Sequence, residues 1–199
     1  AALAQDKRTT NIALILTASR LVLSPIFVFV YMQQTYWTAL ACLGIAILSE
    51  LTDLFDGMVA RARNEVTNLG KILDPMADSI SRLTVFLCFV WEGQAALYLV
   101  IFILYRDSMI ATLRTFCAYR GVVVSARKSG KLKAVIQATV ILIILLLRTL
   151  SYKVQPEMAE TFLTVSHVLI WIVTLVTVLS AFDYLQGNWR VLREALAKE

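Results

Sequence analysis

Apolar residues along the chain fall into six runs, at about 12–33, 36–61, 70–92, 95–118, 133–151 and 160–185, separated by short polar breaks. Each run approaches the ~20 residues that a helix needs to cross a bilayer. The runs are continuous rather than alternating, which predicts helices and argues against membrane-spanning strands. The breaks near 34–35 and 93–94 leave room only for tight turns, so the helices they join are antiparallel neighbours. The predicted fold is all-α, a polytopic membrane protein of six transmembrane helices in a single bundle domain over residues 1–199.

Composition supports this reading. Apolar residues make up 59% of the 199 residues and charged ones 17%, with a mean hydropathy of +0.72; a soluble domain holds roughly 45–50% apolar residues. One water-soluble core of this size could not absorb such runs, and a disordered chain would not contain them. Cys42, Cys88 and Cys117 each lie inside an apolar run with no short spacing between them, so they read as small core residues rather than as a disulfide or metal framework. The first run follows Lys7 and Arg8 but is too long for a signal-peptide core and contains Arg20, so it reads as a retained helix. The start at Ala1 rather than Met points to processing or trimming, with N-terminal residues missing.

The basic residues orient the bundle. Of 19 Lys and Arg, 13 fall at the termini and the even-numbered connections, whereas the opposite side holds Arg148 and Lys153. This asymmetry places both termini in the cytoplasm. Tyr31, Tyr36, Trp37, Trp91 and Tyr152 then form an outer aromatic belt, and Tyr119, Tyr184 and Trp189 an inner one. The net charge of +5 sits where anionic lipid headgroups would attract it, and no basic stretch interleaved with aromatics argues for nucleic acid.

Asp53, Asp56, Asp74 and Asp78 lie on or beside segments that otherwise belong in lipid. Each acid at a helix centre costs about 2.5–3.5 kcal/mol on insertion scales, so the set requires compensation. The i, i+3 and i, i+4 spacings place each pair on one face of its own helix, and the short link from Arg61 to Gly70 makes the two helices an antiparallel catalytic hairpin over 49–82. Four converging carboxylates without His or Cys nearby suit two divalent cations, Mg²⁺ or Mn²⁺, of the kind that clamp a phosphoryl centre. Gly57 and Ala60 leave the face below the acids almost free of bulk, and Arg61 suits a diphosphate oxygen. The same three residues would also serve as a helix-packing seam with an interfacial anchor. Intramembrane acids equally mark ion paths, so a cation transporter is the rival reading; against it, no polar ladder continues toward the outer side.

The eight residues Asp53, Asp56, Gly57, Ala60, Arg61, Gly70, Asp74 and Asp78 fill the pattern D-x-x-D-G-x-x-A-R, eight residues, G-x-x-x-D-x-x-x-D. It resembles the signature of the CDP-alcohol phosphotransferases, integral membrane enzymes of phospholipid synthesis. The resemblance implies that the four aspartates hold two divalent cations, that Asp56, Gly57, Ala60 and Arg61 take the CDP moiety, that Asp78 is the general base, and that the enzyme is a homodimer.

The second half carries further charges in apolar surroundings: Arg106 and Asp107, Arg114, and Lys131 and Lys133. Cations facing a bundle interior are tolerated when they meet an anion, and an acceptor bearing its own phosphate is a natural one. The other reading is that Arg106 pairs with a neighbouring acid and that the cluster at 120–133 is ordinary positive-inside charge. The order Arg106-Asp107, Leu113-Arg114, then Gly130, Lys131, Lys133 and Gln137 resembles the phosphatidylglycerophosphate synthase branch of the family. That branch implies CDP-diacylglycerol and glycerol 3-phosphate as substrates; Asp56, five residues before Arg61, puts the acids a little below the cytoplasmic surface, so the polar pocket opens to the cytoplasm. Inositol phosphate, serine or phosphatidylglycerol are the alternative acceptors. Asp107 stands where a glutamate is usual, and Asn11-Ile12 is not followed by Pro-Asn; Thr17 and Arg20 are kept from that region and border the nucleotide or acceptor pocket. His167 reads as a packing or interfacial residue, Glu50 as an interhelical partner or a tuner of the acids, and Pro75 as the start or a kink of the third helix.

Overall fold

The computed structural model describes the backbone of residues 12–63, 68–121 and 127–196; the side chains of 12–17, 53–63, 68–75, 118, 191 and 194–196 lie outside that description. The described residues form six helices and no strand: α1 (Ile12–Tyr31), α2 (Tyr36–Arg63), α3 (Asn68–Trp91), α4 (Leu97–Tyr119), α5 (Lys128–Ser151) and α6 (Pro156–Leu196). Each helix falls on one of the six apolar runs, and most differences are extensions into polar sequence. α6 continues well past residue 185 through an amphipathic stretch, and α5 begins earlier, with Lys128 and Lys131 in its first turns. α3 begins at Asn68, so Pro75 does not start it.

Local chemistry closes the turns. Thr35 caps α2 reciprocally: the Thr38 amide donates to Thr35 Oγ1 at 3.2 Å and the Thr35 amide to Thr38 Oγ1 at 3.1 Å. α3 ends in a left-handed Gly93 at φ 79°, with the Gly93 amide bonded to the Val90 carbonyl and the Gln94 amide to that of Phe89. This double bond is the glycine stop that satisfies the last carbonyls of a helix. Pro156 opens α6, where a missing N–H costs nothing, and Glu157 faces the positive end of the helix dipole.

Among the described residues α1 packs along both α2 and α3, α6 along both α4 and α5, α5 against α2, and α4 against α3. The pairs joined by the tight turns, α1 with α2 and α3 with α4, are neighbours as expected. Among the described residues α2 and α3 are linked by side chains rather than by close backbone packing, and α1 lies against both; the link that closes the expected 49–82 hairpin lies outside the described residues. The core is apolar and aromatic, including Phe27, Phe86, Phe89, Val100, Ile144 and Leu145. All three cysteines are free and buried within the packing.

Large apolar side chains also face outward on every helix, among them Phe29, Trp37, Leu87, Phe102, Leu146 and Leu175. This surface is that of a membrane protein. Two described stretches, Lys128–Ser151 and Pro156–Arg190, are long and apolar enough to cross a bilayer; Ala18–Tyr31 and Tyr36–Thr52 are shorter apolar stretches.

The end of the bundle carrying the α1–α2, α3–α4 and α5–α6 turns is fastened by charge. Arg148 of α5 is buried; its Nε donates to Glu92 Oε2 at 2.7 Å and its Nη2 to the Tyr31 carbonyl at 3.2 Å, while its guanidinium lies 3.9 Å over the Tyr31 ring. The Tyr31 hydroxyl donates to the same carboxylate, as does Gln94 Nε2 at 3.1 Å. Tyr31 is thus buried inside the bundle rather than lying in an aromatic belt, and Tyr184 is likewise buried; Trp37, Trp91, Tyr119 and Trp189 are exposed. His167 reaches the Gly93 carbonyl at 2.8 Å, tying α6 to the α3–α4 turn.

Candidate active site

The signature residues lie on helical backbone: Asp53, Asp56, Gly57, Ala60 and Arg61 on α2, and Gly70, Asp74 and Asp78 on α3. Helical geometry therefore holds across both aspartate pairs, which fixes each pair to one face. Of the four acids, only the Asp78 side chain is among the described ones. Those of Asp53, Asp56, Gly57, Ala60, Arg61, Asp74 and of Thr17 on α1 lie outside them.

Asp78 faces a small cleft lined by Arg20, Ser49, Glu50, Asp78, Ser81 and Arg82, drawn from α1, α2 and α3. Arg20 Nη1 forms an ion pair with Asp78 Oδ1; the arginine is almost fully buried, whereas the aspartate is 27% exposed. A buried guanidinium is tolerated only where a carboxylate and hydrogen bonds replace its water. Arg20 therefore holds the base candidate in place while leaving it open to the cleft. One turn deeper, Glu50 and Arg82 join α2 to α3 through two parallel contacts, Nε to Oε1 and Nη2 to Oε2, both at 3.3 Å. Glu50 is thus the interhelical partner that the sequence allowed for. Arg82 was not singled out in the sequence, although an arginine one turn beyond Asp78 inside an apolar run was the available signal.

The second cluster joins α4, α5 and α6. Arg106 Nη1 donates to Asp107 Oδ1 at 3.0 Å and its Nε to Ser180 Oγ at 3.1 Å, while buried Lys133 Nζ binds both Asp107 oxygens at 2.7 and 2.8 Å. Asp107 is therefore shared by two cations, which keeps a positive excess at the cluster. Gly130 leaves the remaining Arg106 nitrogen uncrowded, since even a methyl group there would stay 3.9 Å away. α3, which carries Asp78 and Arg82, packs against both α4 and α5, so this cluster sits on helices that neighbour the aspartate cleft. Gln137 bonds Thr177 at 3.3 Å behind it. The structure does not bring all the expected cations together: Arg114 is exposed, with its guanidinium 5.3 Å over the Tyr184 ring, and Lys131 is exposed.

Sequence reasoning also missed Asp183 of α6. It binds Arg127 through contacts of 2.8 and 2.9 Å and accepts from Ser129, anchoring the start of α5. Arg127 crosses Gly187 so closely that a Cβ there would lie 1.4 Å from its Nη1.

The donor chemistry fits hard divalent metal. The signature supplies only carboxylates, the three cysteines are buried in the packing, and the single histidine bonds the turn at the far end of α3.

The chain is 30% identical to a CDP-diacylglycerol–glycerol-3-phosphate 3-phosphatidyltransferase of Bacillus subtilis, covering 89% of this chain and 95% of that protein. It is 33% identical to the Treponema pallidum protein of the same name, over 74% and 69%, and 30% identical to that of Yersinia enterocolitica, over 92% and 98%. Residues 10–179 match the profile of the CDP-alcohol phosphatidyltransferases, and the chain belongs to that family.

Proposed function

We propose that the chain transfers the phosphatidyl group of CDP-diacylglycerol to sn-glycerol 3-phosphate, giving phosphatidylglycerophosphate and CMP. The observation that carries the reading is the meeting of Asp78 with a buried arginine in a cleft between the two signature helices, beside a cationic cluster suited to a phosphorylated acceptor. The names of the relatives support the same substrates. Family membership favours phosphoryl transfer over cation transport.

Asp53, Asp56, Asp74 and Asp78 would hold two divalent ions, Mg²⁺ or Mn²⁺. Bound there, metal supplies charge neutralisation for the diphosphate and for the departing CMP. Gly57, Ala60 and Arg61 with Asp56 receive the CDP moiety. Asp78, held by Arg20, takes the proton from the acceptor hydroxyl as its oxygen attacks the lipid-side phosphorus, and the anhydride bond to CMP breaks. Arg106 and Lys133 attract the acceptor's phosphate, a group that a neutral acceptor would lack. In this reading residues 1–199 form one domain with 49–82 as its catalytic part, six helices span the membrane, both termini and the cleft face the cytoplasm, and two chains associate.

Purified protein in detergent with Mg²⁺, CDP-diacylglycerol and a panel of acceptors tests it. CMP release is expected with glycerol 3-phosphate and not with serine, inositol phosphate or phosphatidylglycerol; release with a different acceptor, or with none, overturns it.

A further inference from the structure

Asp78 and Arg82 are one turn apart on α3, and Glu50 lies about one turn before Asp53 on α2. The Glu50–Arg82 pair therefore crosses the gap between the two aspartate-bearing helices immediately below the acids. Direct backbone packing of α2 on α3 is missing among the described residues; both lean on α1 instead. At this level, what joins α2 directly to α3 among the described residues is side chains that reach across. The pair is well placed for that work: two parallel contacts of 3.3 Å, with both side chains largely buried. A fork-to-carboxylate pair fixes orientation as well as distance, which a single contact does not.

We infer that Glu50 and Arg82 act as a positioning clamp that sets the separation of the two aspartate pairs and so the affinity of the site for divalent metal. The inference rests on the proposed metal-dependent reading. It makes a claim that charge alone does not: Glu50 is an anion near a cation site and Arg82 a cation near it, so pure electrostatics would have Glu50→Gln weaken metal binding and Arg82→Met strengthen it. A clamp loses its grip when either partner is removed, and both substitutions weaken binding.

The test is titration of the purified full chain with Mn²⁺ alone, following free Mn²⁺ by electron paramagnetic resonance. E50Q and R82M are each expected to weaken binding about tenfold, and E50Q/R82M no more than the worse single change, as for two groups acting as a unit. R82K, which keeps the charge and the fold but not the fork, is expected to fall between wild type and R82M. Tighter binding in R82M, unchanged binding in both single variants, or losses that add in the double variant would overturn the clamp. Wild type that binds Mn²⁺ but releases no CMP would sink the proposed reaction and leave the clamp standing. Wild type that turns over beside single variants with unaltered Mn²⁺ affinity would do the reverse.

Discussion

Arg20 and Asp78, 58 residues apart in sequence, form an ion pair between α1 and α3 inside the cleft. The arginine is the buried partner, so its cost of desolvation is tied to the presence of that carboxylate. Asp78→Asn keeps an oxygen able to accept from the guanidinium but removes both the charge and the base. Turnover is expected to fall at least about a thousandfold, with a lowered but cooperative melting transition. Arg20→Lys keeps the charge without the fork and should retain more activity than Arg20→Gln, whose rate should drop about a hundredfold. CMP release and thermal unfolding in detergent measure both effects, and an Arg20→Gln enzyme with near-normal kcat would separate Arg20 from the chemistry.

The cations of the second cluster divide by environment. Arg106 and Lys133 sit around one carboxylate, whereas Arg114 lies out on Tyr184. Arg106→Gln or Lys133→Met should raise the KM for glycerol 3-phosphate by roughly ten- to a hundredfold, the worth of a charge-assisted hydrogen bond, with a smaller effect on kcat. Arg114→Ala should change that KM by less than about threefold. Steady-state kinetics with the acceptor varied decides between the two.

At the turn end, removing one partner of the Arg148–Glu92 pair strands a buried charge. Arg148→Gln is expected to cost about 3–5 kcal/mol of stability. Tyr31→Phe loses one hydrogen bond but keeps the ring under the guanidinium, and should cost about 1 kcal/mol. Denaturation in detergent checks the ranking. Residual folded protein should show wild-type KM values, because the network lies away from the cleft.

Gly187 offers a test of opposing effects. Alanine there gains up to about 1 kcal/mol of helix propensity but displaces the Arg127 guanidinium from Asp183. That pair is more than a third exposed, so solvent screens it and its loss costs little. Gly187→Ala should therefore leave stability within about 1 kcal/mol of wild type, and Asp183→Asn should cost less in the Gly187→Ala background than alone. A double-mutant cycle by thermal melting reads both.

What the sequence made legible followed from short-range physics. Runs of apolar residues located six helices, and i, i+3 or i, i+4 spacing put each aspartate pair on one face, because both signals are contained within a few turns of chain. Hydropathy understated α6, since its amphipathic end beyond residue 185 is helical without being apolar. Pairings across long separations left no such trace. Arg20 was placed near the pocket but not on Asp78, Arg148 was counted only as an outer-side charge, and Tyr31 was assigned to the interface although its hydroxyl turns inward to Glu92. In the case of Arg106, the composition allowed both a neighbouring acid and a ligand phosphate; the structure supplies the acid and, by adding Lys133 to it, leaves the cluster net positive.

The knot of Arg148, Glu92 and Tyr31 binds α5, α3 and α1 at one extremity only. The cleft of Arg20, Glu50, Asp78 and Arg82 lies nearer the middle of α1, α2 and α3, more than two helical turns from that knot. Weakening the knot therefore drains the supply of folded enzyme while each surviving molecule works at its ordinary pace.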